Sequence, residues 1–269
     1  MPSKSDPTDY RQHVDFNVVC KVASITNDDP IVFPGSPGRA HPHVFSGNTG
    51  THAFSTQDTL EAGSTNCLLD RDRAAYWFPQ LFTESGTPLV PSTIRTYYRA
   101  GTLNPVAHIP HGLKIIAGDA KATVAQDRRI AGWQCRTVSP DTQSVPKQSL
   151  IPDCPVTDQL EGSVVFPNCW DGVNLDSADH KSHMSYGAGD SCDSAHPVRL
   201  PQLTVAFRYK PGTTNSRSYL SSETSGLTLH ADFWNAWHQP TLDALVDRCI
   251  NAGVHCGDVS PSHFPGPMP

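Results

Sequence analysis

The sequence predicts a mainly β protein, a single-domain sandwich or jelly roll with long loops and one C-terminal helix. Three observations carry that expectation. Short runs rich in Val, Ile, Tyr and Phe recur between Pro, Gly, Asn and Asp, as strands separated by turns do. Twenty-four prolines and 19 glycines supply those turns. Only one segment, about 241–252, shows the apolar stripe of an amphipathic helix.

Residues 1–13 are polar and read as an N-terminal tail. A strand-like run follows at Phe16 to Val22, and Asp29-Pro30 opens a turn. Further strand candidates are Ala75 to Phe82, Ile94 to Arg99, Leu113 to Ala117, Ser163 to Phe166, Leu203 to Tyr209 and Leu227 to Asp232. In the helix, Leu242, Leu245, Val246, Cys249 and Ile250 form one stripe, with Thr241 as N-cap and Gly253 as the stop. With no internal repeat and no long linker, 14–258 reads as one domain and 259–269 as a second tail.

Charged residues are 17% of the chain, and its net charge of -6 has no basic counterweight. Nucleic acid is therefore not an expected partner, and no apolar run is long enough to span a membrane. Eight cysteines occur without a C-x-x-C pair, which favours disulfides formed in an oxidising compartment over a zinc ribbon. Cys249 and Cys256 are close enough in sequence to close a local loop. The first residues lack the apolar core of a signal peptide, so secretion implies a mature form or a trimmed chain with an added Met1.

Cys169 to His183 holds three aspartates, two histidines, an asparagine and a lysine with little apolar content. Such a stretch suits a shaped loop, because a hydrophobic interior offers its groups no partners. Other histidines fall in pairs. His41 and His43 are two apart, so an extended backbone turns both rings to one side. His108 and His111 lie in a proline-bounded turn, His180 and His183 share a face if that piece is helical, and His230 ends a strand-like run. Each has a plainer reading as a structural residue bonded to backbone. Asp171-Gly172 is a turn signal, and Asp176 and Asp179 could cap a helical turn. The sequence has no G-x-S-x-G, H-E-x-x-H, P-loop or G-x-G-x-x-G motif.

Five blocks occur in order: His41 to Asn48, Gly112 to Asp119, Cys169 to His183, His196 to Pro201, and His230 to Trp237. Together they resemble a large family of secreted fungal and bacterial proteins built on a domain of unknown function. Family members often carry Gly-Gly-Asn where this chain has Ser46-Gly47-Asn48. The resemblance implies secretion, disulfides and one shared polar site drawing on His41, His43, His111, Asn174, Asp176, His180, His183, His196, Arg199 and His230.

The leading expectation is a secreted enzyme cleaving an extracellular polysaccharide by lyase or hydrolase chemistry. His180, His183, Asp176, Asp179 and Tyr186 are the catalytic candidates, and His41, Asn174, His196, Arg199 and His230 the substrate-binding ones. The first alternative is a metal protein, with His43 and His111 as ligands for a divalent ion, copper, zinc or calcium. The second is a non-catalytic glycan-binding module on a β-sandwich frame.

Overall fold

The computed structural model describes residues 14–100, 105–137, 147–187, 191–223 and 225–261. The expected N-terminal tail and residues 262–269 lie outside that set. Val259, where the second tail was expected to begin, is instead buried, and its N–H donates to the Asn17 carbonyl.

The chain is mainly β, as its composition implies. In chain order the principal strands are β1 (Asp15–Cys20), β2 (Val22–Thr26), β3 (His43–Gly47), β4 (Ala75–Pro79), β5 (Thr93–Arg99), β6 (Lys114–Gly118), β7 (Ala131–Arg136), β8 (Gln159–Val165), β9 (Gln202–Arg208), β10 (His230–Trp234) and β11 (Gly257–Asp258). They form a six-stranded sheet in the order β11-β1-β5-β9-β8-β7 and a five-stranded sheet in the order β2-β3-β4-β10-β6. Pairing is antiparallel except between β1 and β11.

Successive side chains of a strand point to opposite faces, so each sheet has one face for the other. Val44, Tyr76, Phe78, Ile115, Ala117, Ala231 and Phe233 of the five-stranded sheet share a core with Phe16, Val18, Tyr98, Trp133, Leu160, Leu203, Val205 and Phe207 of its partner. Phe78 stacks on Phe207 across this sandwich, with ring centroids 3.8 Å apart. A directional hydrogen-bond chain also crosses it. Trp237 Nε1 donates to the Tyr98 hydroxyl at 3.0 Å, Tyr98 and Tyr76 hydroxyls lie 2.6 Å apart, and Tyr76 donates to Asp72 Oδ2 at 2.9 Å.

The five-stranded sheet is covered on its second face as well, and β3, β4 and β10 are buried along their whole length. There Phe45, Ala75, Trp77 and Trp234 pack with Ile31, Leu60 and Ala236. Leu60 comes from a short helix, α1 (Gln57–Ala62), whose N-cap Thr56 and third residue Thr59 bond each other's backbone N–H groups. Gly118 lets β6 close on β10: its φ is +77°, and a Cβ there would sit 2.5 Å from the Leu229 carbonyl oxygen.

The C-terminal helix buries the expected stripe but is not built as expected. Its α-helical part, α2 (Gln239–Leu245), starts with His238 at the cap position and Pro240 in the first turn, so Thr241 lies inside the helix. A π-helical turn at Val246–Asn251 follows, then Gly253 with φ +70°. Four disulfides join Cys20 to Cys67, Cys135 to Cys154, Cys169 to Cys192 and Cys249 to Cys256.

Burial pushes the Asp72 carboxyl up to about 8, against the lowering effect of hydrogen bonds from Tyr76 and the Ala74 N–H. The ordinary value for an unfolded aspartate is about 3.9. Between the two, the folded chain holds a proton that the unfolded chain has lost, so this group lowers stability as pH rises through that window. Melting scans from pH 4 to 8 should therefore show a fall in Tm that is shallower in Asp72→Asn. Parallel curves for the two proteins would contradict this.

Candidate functional site

The polar residues of interest sit on the second face of the five-stranded sheet because of strand alternation. His43 is two residues from Phe45 on β3, and His230, Asp232 and Trp234 occupy alternate positions on β10. His41 precedes β3 by the same two-residue step, as expected of an extended H-x-H segment. One ring nitrogen from each of His41, His43 and His230 falls within 4.8 Å of the others.

Hydrogen bonds fix how these rings present themselves. His43 Nδ1 lies 2.9 Å from the Asp28 carbonyl oxygen, and His230 Nδ1 lies 2.7 Å from that of Thr228. A carbonyl only accepts, so each Nδ1 carries the proton and each Nε2 a lone pair. Those two Nε2 atoms face one another at 3.5 Å, where neither has a proton to share. His41 Nε2 is buried without a hydrogen-bond partner, its ring 4.2 Å from that of His43 and 5.1 Å from that of His230.

Desolvation then decides protonation. It lowers all three histidines, holding His43 far below the usual imidazole range and His230 at about 3. The same burial raises the carboxyl of Asp232, with the neighbouring Asp29 adding to the effect. Asp29 is also raised by burial, although the N–H groups of Val32 and Ile31 donate to it. Asp232 Oδ2 has no hydrogen-bond partner. The result is three neutral imidazoles, two of them with lone pairs turned toward each other, and an unpartnered carboxyl oxygen on the same sheet face. Backbone carbonyls bonded to the far nitrogens are the usual support for metal-binding histidines.

The cluster opens into a cleft of about 360 Å³. His41, His230, Asp29 and Asp232 meet Asp119, Lys121, Asp179, His180 and Lys181 there. His180 has φ +60°, the one positive value among described residues other than glycine. Its turn is tied by Asp179 Oδ1, which accepts from Ser177 Oγ, Ser182 Oγ and the N–H groups of Lys181 and Ser182. His180 Nδ1 lies 2.8 Å from Asp176 Oδ1, while Asp176 Oδ2 takes the Lys114 ammonium at 3.1 Å. That ammonium lies 4.3 Å from the centroid of the Trp234 ring, a cation–π contact anchored in the sheet.

Of the expected site residues, His41, His43, His230, Asp179 and His180 come together at this place, with Asp176 behind His180. Others serve the loops. His183 is buried, with Nδ1 2.9 Å from Ser177 Oγ and Nε2 2.7 Å from the Lys114 carbonyl, which leaves no ring nitrogen for proton transfer. Tyr186 donates its hydroxyl to Val165 O, and Asn174 donates to Asp171. His196 bridges Asp193 and the Ser182 carbonyl, while Arg199 donates to Ala100 O. None of these five lines the cleft.

The expected metal pairing of His43 with His111 is not formed. His111 pairs with Glu61 and lines a separate pocket with Arg73, Trp237, His238 and Gln239. Its former partner by sequence, His108, faces Asp243 and Asp247 instead. Asp179 is held far below the usual carboxylate range by the hydrogen bonds of its turn, the Ser182 N–H first. Sequence reading missed Asp29, whose Asp-Pro context signalled only a turn, together with Asp119, Lys121 and Lys181.

Fold and site define a disulfide-bonded β-sandwich with a histidine-lined cleft on the outer face of one sheet. The chain belongs to the domain of unknown function family DUF1996, whose model matches residues 29–237. No match was found among curated proteins or among solved structures.

His183→Ala should lower unfolding free energy by about 1–3 kcal/mol, because the Lys114 carbonyl loses its donor. Urea titration checks the loss, and unchanged stability would contradict the structural role assigned to His183.

Proposed function

We propose that this chain is a secreted metal-dependent enzyme whose centre is a divalent transition ion held by Nε2 of His41, His43 and His230. The observation that carries the reading is the convergence of one ring nitrogen from each of three histidines, with the Nε2 lone pairs of His43 and His230 turned toward each other and the His41 Nε2 buried without a partner. A cation of the zinc or copper type accepts all three, whereas calcium prefers six to eight oxygen ligands. Because burial keeps the rings neutral, metal uptake competes with few protons.

Three protein ligands with a further position facing a cleft suit a catalytic centre, since structural zinc sites are closed by four. The bound ion would polarise a substrate oxygen or lower the pKa of a water. Around it, Asp29, Asp232 and His180 line the cleft, and Lys121 and Lys181 add positive charge. Four disulfides support an extracellular setting.

Protein loaded with zinc or copper and desalted should retain about one ion per chain by mass spectrometry. His43→Ala and His230→Ala should each weaken binding by more than the roughly 10–100-fold typical of outer-shell changes, and His111→Ala should not. Loss of all metal from the unmodified protein, or equal retention in the His43 and His230 variants, would refute the centre.

A further inference from the structure

Resting on that metal centre, we propose that the cleft takes a uronate unit of an acidic glycan, and that His180, aligned by Asp176, removes the proton from the carbon bearing the carboxylate.

The proton acceptor is defined by geometry. Asp176 Oδ1 engages His180 Nδ1 at 2.8 Å, which assigns the proton to that nitrogen and the lone pair to Nε2. Nε2 has no partner among the described residues, and His180 lines the same cleft as His41 and His230. The dyad is rigid: Lys114 holds the other Asp176 oxygen, and Trp234 holds Lys114. A left-handed backbone is unfavourable at a β-carbon-bearing residue, and here the Asp179 turn maintains it at a residue that lines the cleft.

Two lysines beside the metal centre favour an acidic substrate. The chain is acidic overall, yet Lys121 and Lys181 both border this cleft. Of the acids beside them, Asp119 Oδ1 accepts from the Lys121 N–H, Asp29 Oδ1 from Ile31 and Val32, and Asp179 Oδ1 from Lys181 and Ser182, while Asp232 Oδ2 has no partner. Lys181 gives one proton to the Gly118 carbonyl and retains two others. A carboxylate suits both the lysines and the open position of the metal, and a neutral sugar gains from neither.

The chemistry balances without a further reactant. The C5–H pair passes to the carboxylate-stabilised carbanion as His180 Nε2 takes the proton, and a cation near the carboxylate favours that charge. The pair then forms the C4=C5 double bond as the C4–O bond breaks. The departing oxygen takes a proton from water, and His180 returns its own to the hydroxide left behind.

The test uses zinc-loaded protein of measured metal content with polygalacturonate, alginate and carboxyl-reduced polygalacturonate. Expected results are ultraviolet-absorbing unsaturated ends from a uronate polymer and none from the reduced one. His180→Gln should cut the rate about 10²–10⁴-fold while still binding metal and, by calorimetry, trigalacturonate. Asp176→Asn, altering a positioning residue, should lower kcat with KM unchanged. Reducing ends without absorbance, no product from either uronate polymer, or a fully active His180→Gln would overturn the inference with the metal centre intact. Failure to retain zinc would overturn the centre itself.

Discussion

Desolvation of three imidazoles on one sheet face is the constraint from which the site follows. In water each ring would bond to solvent and would exchange its proton freely near neutrality. Covered by α1 and the segment around Ile31, the second face of the five-stranded sheet removes that choice. His43 and His230 give their single protons to backbone carbonyls and turn bare nitrogens toward each other. Such an arrangement is unfavourable alone, and an electrophile between the nitrogens relieves it.

The sandwich keeps this face rigid from behind. Phe78 against Phe207, and the Trp237, Tyr98, Tyr76 and Asp72 chain, lock the strands that carry the histidines to the opposite sheet. The family match at 29–237 contains every residue named in the cleft, from Asp29 to Asp232, but leaves out β1, β2 and α2. Site and matched region therefore coincide, while the flanking elements complete the sandwich around them.

Much of the architecture was legible where side-chain chemistry and period agree. Leu203 to Tyr209 and Ile94 to Arg99 alternate over β-branched and aromatic residues, and both form strands. Ala131–Arg136 was not legible, because Ala-Gly-Trp-Gln-Cys-Arg has no β-branched residue and opens on Ala and Gly, which strands disfavour; its partner β8 imposes the extended form. Helix α1 is too short for an apolar stripe and rests on its cap and on Leu60. At the site, His41 and His43 were paired by the period of two, which holds for any extended chain. The loop from Cys169 to His183 has no such rule. Adjacent polar residues there diverge, so that His180 enters the cleft and His183 turns back to Lys114. Asp29 depends on long-range packing that no local pattern encodes.

The most direct test of the account is X-ray absorption spectroscopy at the zinc edge on protein loaded with one equivalent of zinc. The expected first shell is three imidazole nitrogens at about 2.0–2.1 Å, with one further light-atom ligand from water. A shell of oxygen atoms without imidazole scattering would contradict it, placing the ion away from His41, His43 and His230.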